Sequence, residues 1–248
     1  MTTEDAGFGP GPDSPGVTVE QAAAFLGDRF GPDATAIEAL RQGAWSSAYG
    51  FVRSDTGYVI RFSAHVDDFQ RDRLAYRYVS PGLPIPVVTE IGDAFGIHYA
   101  ISERVAGIPI DDVNGHELRE LLPSMLAALD AMRSADVSDT GGYGGWGDDR
   151  NAPFPSWEAA LLAVSVDSPA SRGSGWRERL ETSPVGAETF DEAYATLVGL
   201  SRYAPRNRSL IHSDLLNYNV LVSDRHLTGV IDWGCAMYGD FLYDLAWL

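Results

Sequence analysis

The chain has 248 residues, 45% of them hydrophobic, enough to bury a sizeable core in one large domain or in two lobes. Its formal net charge of −17, from 18 basic and 35 acidic residues, repels nucleic acid and anionic membrane surfaces and favours cationic partners. The single cysteine, Cys235, excludes an internal disulfide and a cysteine-clustered metal site; all 18 basic residues are arginine, which excludes a Walker A phosphate loop and a lysine Schiff base.

Residues 1–16 are acidic and rich in Gly and Pro, without the basic and apolar regions of a signal peptide, and are expected to form a disordered tail. No run of about 18 apolar residues occurs, so a membrane span is not expected; with a single cysteine nothing requires an oxidising compartment, and a cytoplasmic location is expected. From Val17 to Phe30 the apolar spacing predicts a helix, with Thr18 as N-cap and Gly31 as stop. The stretch that follows alternates apolar and polar residues, and "DTG" between "YGFVRS" and "YVIRFS" predicts an antiparallel hairpin. Residues 67–79 place Phe69, Leu74, Tyr78 and Val79 near one helical stripe, which the prolines of "SPGLPIP" bring to an end. Strands at "VVTEI" and "HYAISERV" complete a first lobe, residues 17–105.

Beyond Gly107 the pattern turns helical. Leu118, Leu121, Leu122, Met125, Leu129 and Met132 keep the spacing of one buried face, and further helices are expected at 156–166 and 188–202. Between them Gly142, Gly144 and Gly147 spell G-x-G-x-x-G, but no strand precedes and no helix follows, so a surface loop rather than a dinucleotide site is expected.

The chemistry concentrates near the C-terminus. In "IHSDLLNYN", residues 211–219, His212, Asp214 and Asn219 stand in H-x-D-x-x-x-x-N spacing, and a predicted hairpin returns Asp232 to the same place. One loop can then offer a carboxylate to a substrate hydroxyl and an amide oxygen to a metal, an arrangement suited to phosphoryl transfer. An oxygen-rich site fits Mg²⁺, whereas zinc lacks clustered His and Cys ligands. Taken singly, these residues more often do structural work: a packed histidine, a turn-capping aspartate, an asparagine bonded to backbone. Their ordered spacing around a hairpin favours the chemical reading.

The block "LIHSDLLNYNVLVSDRHLTGVIDWGCAMYGDFLYDLAWL" resembles the catalytic segment of the aminoglycoside phosphotransferase family. With "YVIRF", "LPIP" and "AMYGD" it resembles, more narrowly, the hygromycin B phosphotransferases. The resemblance covers residues 17–248. It implies an α+β, protein-kinase-like bilobal fold, with a small antiparallel-sheet N-lobe and a mainly helical C-lobe over 106–248. It implies Asp214 as the catalytic base or hydroxyl-orienting residue, Asn219 and Asp232 as Mg²⁺ ligands, and His212 as a brace for the catalytic loop. Arg61 would hold the nucleotide phosphates where most such kinases place lysine, oriented by Asp72; the hygromycin-type enzymes also carry arginine there. Ser46 and Ser47 of "GAWSSAYG" would donate to phosphate oxygens, and the backbone near Glu103 and Val105 would meet adenine. Asp240 and Asp244 would support the catalytic loop, with direct binding of the acceptor's ammonium groups as the alternative.

The family continues with several more C-terminal helices beyond the position of Leu248, so the C-lobe is expected to be truncated. The resulting expectation is an ATP- and Mg²⁺-dependent phosphotransferase acting on a hydroxyl of an aminoglycoside such as hygromycin B and conferring resistance. The alternatives are a kinase of a small amino alcohol or sugar and a catalytically silent nucleotide-binding protein. A monomer is the expected state.

Overall fold

The computed structural model describes residues 16–147, 149–169, 171–215 and 218–246. The expected tail, apart from Gly16, lies outside the described residues, as do Leu216 and Asn217 between Asp214 and Asn219. Contacts divide the chain into two compact units: residues 16–131 with 214–235, and Met132–Ser213 with Ala236–Ala246.

The first unit opens with helix α1 (Val19–Phe30). A capping box starts it: the Thr18 hydroxyl accepts the Gln21 N–H at 3.3 Å, and the Gln21 side chain accepts the Thr18 N–H at 2.8 Å. Strands β1 (Ala34–Ala39), β2 (Ser46–Arg53) and β3 (Thr56–Ser63), helix α2 (Val66–Ala75), and strands β4 (Val88–Ala94) and β5 (Ile97–Glu103) follow. The strands form one antiparallel sheet in the order β1-β2-β3-β5-β4. The β2–β3 turn sits on Ser54 and Asp55, with φ of 48° and 62°, one residue earlier than "DTG" indicated. Two consecutive left-handed residues give the twist that a two-residue hairpin needs.

Alternation along the strands sorts the side chains onto two faces. Tyr49, Phe51, Ile60, Phe62 and Tyr99 form a core with Ala22 and Leu26 of α1. Phe25 meets Phe62 and Tyr99 edge-on, at centroid distances of 6.1 and 4.9 Å. Each such side chain contributes about 1.5–3 kcal/mol by leaving water. The opposite face presents Ala48, Val59, Arg61, Ala100 and Ser102, and there Phe69 of α2 packs with Val88 and Ala100. Helix α2 stops at Ala75 and gives way to a tighter turn over Tyr76–Tyr78; Val79, expected on the buried stripe, is 42% exposed because the helical period ends before it.

Strand β6 (Ile108–Pro109) and helix α3 (Gly115–Ser134) come next. Gly107, at φ 135°, is fixed by space as well as conformation: a Cβ there would stand 2.7 Å from the Val222 carbonyl oxygen. Along α3 the buried positions are Leu121, Met125, Ala128, Leu129 and Met132, whereas Leu118 and Leu122 are 40% and 47% exposed. Leu122 lies about 100° around the axis from Leu121 and so falls off the stripe, and Leu118 sits in the first turn.

The second unit contains β7 (Gly144–Gly145), α4 (Trp157–Leu162), α5 (Trp176–Thr182), α6 (Glu188–Ser201) and β8 (Ser209–Ile211). Helix α5 was not legible in the sequence; Asp167 starts it by accepting the Gly175 and Arg177 N–H groups at 2.8 and 3.1 Å. The glycine run forms the short edge strand β7 and a reversal that bridges Tyr143 to Phe154, with no helix directly after it. Gly142, at φ +73°, is required there, since a Cβ would fall 1.8 Å from the Ala152 oxygen. The Arg208 guanidinium ties this segment down with bonds of 2.6–3.2 Å to the Val137, Thr140 and Gly142 carbonyls and the Thr140 hydroxyl.

Returning to the first unit, β9 (Val220–Ser223) and β10 (His226–Val230) form a hairpin turning on Asp224 and Arg225, and the sheet order is β10-β9-β6. In the second unit β11 (Met237–Gly239) pairs between β7 and β8, and α7 (Leu242–Leu245) follows. Among the described residues no helix is long and apolar enough to cross a membrane.

Candidate active site

A cavity of about 530 Å³ opens within the first unit, beneath the face of the five-stranded sheet that carries Arg61. Ala48, Val59, Val88, Leu221 and Ile231 give it apolar walls, and Asp214, Asn219 and Asp232 line it together. The convergence expected from spacing is therefore present. Its local cause is the β9–β10 hairpin: Asn219 enters β9, Asp232 leaves β10, and the Ile231 N–H donates to the Asn219 carbonyl at 2.9 Å. The Asn219 amide nitrogen donates to the Asp214 carbonyl at 2.8 Å and to its carboxylate at 3.2 Å. One end of the asparagine thus holds the aspartate while its oxygen is turned elsewhere.

Arg61 stands in the middle of β3, between Ala48 and Ala100 on the neighbouring strands. It forms a short ion pair with Asp72 of α2, whose side chain is only 6% exposed. Burial works against the Arg61 charge, but Asp72, Asp232 and Asp68 outweigh it, so its pKa lies above the ordinary arginine value. The second Asp72 oxygen accepts the Trp233 backbone N–H at 2.7 Å. Asp72 therefore links the sheet arginine to the residue directly after Asp232, which itself holds a left-handed φ of 63°.

Asp232 is exposed to the cavity solvent, yet protein closes around it on the other sides. This burial, reinforced by Asp72 and opposed by Arg61, pushes its carboxyl up to about 6. A further tie runs from α2: Arg71 donates to the Gly234 carbonyl at 2.6 Å, and Asp68 packs so closely that a Cβ on Gly234 would stand 2.9 Å from its carboxylate. The Cys235 thiol, raised by burial and by these carboxylates, stays protonated.

Ser46 lines the cavity, as do Glu103 and Val105. Ser47 does not: strand alternation turns it onto the opposite face, where it pairs with Phe62 and is 4% exposed. Of the two serines expected to meet phosphate, Ser46 alone faces the cavity, and the expectation for Ser47 is corrected. The Glu103 N–H is committed to the Val87 carbonyl at 3.0 Å. In the second unit His212 is fully buried, and the His212 and Ser213 N–H groups both donate to the Asp244 carboxylate at 2.7 Å. Burial raises the Asp244 pKa and these two bonds oppose the rise. Asp240 caps the turn into α7, accepting the Leu242 N–H at 3.2 Å.

Sequence reading missed two participants. The Trp233 main chain carries no side-chain signal, and Arg41, stacked on Tyr218, meets its partner only through the fold. Among the described residues no three His, Cys, Asp or Glu side chains are grouped to hold a metal ion by themselves. A cation here would need the Asn219 oxygen and oxygens of a bound phosphate as well, the donor set that Mg²⁺ accepts.

The profile of the phosphotransferase enzyme family matches residues 36–248. The chain belongs to this family. The phosphotransferase is 32% identical over 236 residues to the hygromycin-B 4-O-kinase of Escherichia coli, covering 94% of this chain and 67% of that relative. Among solved structures it resembles the aminoglycoside phosphotransferase APH(4)-Ia, at TM-score 0.83 and 30% identity, over 92% of this chain and 76% of the other. A thermostable mutant of that enzyme, in ternary complex with AMP-PNP and hygromycin B, matches at TM-score 0.81 and 31% identity, over 90% and 74% of the two chains. A putative fructosamine-3-kinase from Haemophilus somnus, 15% identical at TM-score 0.61 over 91% and 75%, shares the fold. The α+β, kinase-like fold and the phosphotransferase class expected from the sequence both hold.

Proposed function

We propose that this phosphotransferase moves the γ-phosphoryl group of ATP to a hydroxyl of an aminoglycoside of the hygromycin B type, and so confers resistance. The observation that carries the proposal is the joint presence of Asp214, Asn219, Asp232 and Arg61 around one apolar-walled cavity. Similarity to an enzyme seen with AMP-PNP and hygromycin B supports both substrates, and the net charge of −17 suits a polycationic acceptor.

In this reading the flat base lies between Val59 and Val88 on one side and Leu221 and Ile231 on the other, beside the main chain from Glu103 to Val105. Arg61 meets the phosphates, held rigid by Asp72, and Ser46 donates a hydroxyl from the entry to β2. Asn219, through its amide oxygen, and Asp232 would hold Mg²⁺; the crowd of Asp68, Asp72 and Asp214 near Asp232 leaves room for added positive charge. When bound, that ion neutralises charge on the phosphates. Asp214 accepts the proton of the acceptor hydroxyl as its oxygen bonds to the γ-phosphorus and the bond to the ADP oxygen breaks. His212, Asp240 and Asp244 have supporting roles: Asp244 holds the His212 and Ser213 backbone that leads into Asp214, and Asp240 caps the turn into α7.

The same reading takes residues 17–105 as a nucleotide-binding lobe and 106–248 as a catalytic lobe. It takes the protein as a cytoplasmic monomer, since one chain supplies every group and its lone cysteine needs no oxidising compartment. The test is phosphate transfer from labelled ATP by the purified protein across a panel of aminoglycosides, amino alcohols and sugars. Labelled hygromycin B is expected; ATP turnover only with a small metabolite would replace the acceptor, and turnover with none would replace the function.

A further inference from the structure

The loop between β1 and β2 reaches the chain just ahead of Asn219 through one side chain. The Arg41 guanidinium carbon lies 3.5 Å from the centre of the Tyr218 ring. The other arginine–ring contacts among the described residues span 4.4–6.0 Å. Arg41 also stands 3.7 Å from Asp112, a pair with exposures of 41% and 51% that solvent screens. Asp111, the neighbour of Asp112, accepts the Tyr218 N–H at 3.0 Å.

Both ends of this contact are stiff. The Gln42 side chain donates to the Leu40 and Ala48 carbonyls at 2.7 and 3.1 Å and accepts the Ala48 N–H at 3.3 Å, and the Gly43 N–H donates to the Ser46 carbonyl at 3.2 Å. Tyr218 holds φ at 65°, a left-handed conformation that a residue with a side chain keeps only where its surroundings enforce it. Arg41, Tyr218 and Asn219 all line the cavity.

We infer that Arg41 is a positioning residue: it clasps the phosphate-facing loop to Tyr218 and thereby fixes the backbone that aims Asn219 at a metal-chelated nucleotide. The inference rests on the proposed function for its consequence, while the clasp itself exists without nucleotide. Loss of the cation and loss of the ring should then have one and the same effect.

The test combines steady-state kinetics with amide hydrogen exchange on the full chain, in Arg41→Ala, Tyr218→Ala, Tyr218→Phe and the double alanine variant. Arg41→Ala should raise KM for ATP·Mg²⁺ about fivefold, with a smaller fall in kcat. Tyr218→Ala should match it, Tyr218→Phe should recover most of the loss because the ring remains, and the double variant should be no worse than either single one. In the absence of nucleotide, exchange over residues 41–46 should quicken in Arg41→Ala. Unchanged KM and unchanged exchange in Arg41→Ala, or additive losses in the double variant, would overturn the clasp. Because exchange is read without ATP, an inactive wild-type protein would overturn the functional proposal separately.

Discussion

The cavity unit and the helices of the second unit both pair arginine with aspartate, at opposite extremes of burial. Arg61 and Asp72 have side chains 18% and 6% exposed, and their remaining oxygen holds the Trp233 main chain. Arg177 reaches Asp191 at 2.6 Å and Glu181 at 2.7 Å, but exposures of 34–55% leave every partner in water. Arg177 grips Asp191 with two nitrogens, at 2.6 and 3.1 Å, so hydrogen-bond geometry does not favour the buried pair. Burial decides which pair the structure depends on, because only a buried charge is stranded when its partner is removed.

The comparison can be broken most severely at the proposed catalytic base. Asp214→Ala should lower kcat by about 10² or more with little change in nucleotide affinity, as expected for loss of a positioned base. Single-turnover kinetics beside a nucleotide titration checks this, and a variant that turns over normally would remove Asp214 from its role.

The next effect sets the two ion pairs directly against each other. Arg61→Ala leaves the buried Asp72 charge without its cation, with only the Trp233 N–H still bonded to it, which should cost about 3–5 kcal/mol and lower the thermal midpoint by roughly 10 °C. Arg177→Ala should leave the midpoint where it is. Equal shifts in the two variants would refute the argument from burial.

A smaller effect sharpens the picture of the sheet core. Tyr99, buried and hydrogen-bonded to Glu90, has its phenol pushed up to about 12. The unfolded phenol ionises first, from about pH 10. Between pH 10 and 12 the unfolded chain has shed a proton that the folded chain keeps, so stability should fall with rising pH by up to about 2 kcal/mol. Below pH 10 this contribution is fully present. Denaturant titrations across that range should show the slope, and Tyr99→Phe should remove it.

Much of the site was legible because its signals are local. Thr18 and Gln21 sit one turn apart, β2 and β3 alternate, and Asp214, Asn219 and Asp232 belong to one loop and one hairpin, so spacing alone brings them near each other. What failed needed knowledge of a face or of a distant partner. Ser46 and Ser47 look alike in sequence, and only the register against Phe62 tells which one turns from the cavity. Leu122 is as apolar as Leu121 but lies off the stripe. The Trp233 N–H is main chain and invisible to a reading of side chains, and Arg41 meets Tyr218 only because the β1–β2 loop and the segment ahead of β9 border one cavity. Helix α5 is short, and its start depends on Asp167, well ahead of it in the chain.

The central claim is that Asp232, with Asn219, completes its coordination around a cation carried by the nucleotide. Calorimetric titration of ATP with and without Mg²⁺, into wild-type protein and Asp232→Ala, tests it most directly. Binding that requires Mg²⁺ in the wild type and is lost in the variant is the predicted result; equally tight binding without Mg²⁺, unchanged in Asp232→Ala, would contradict it.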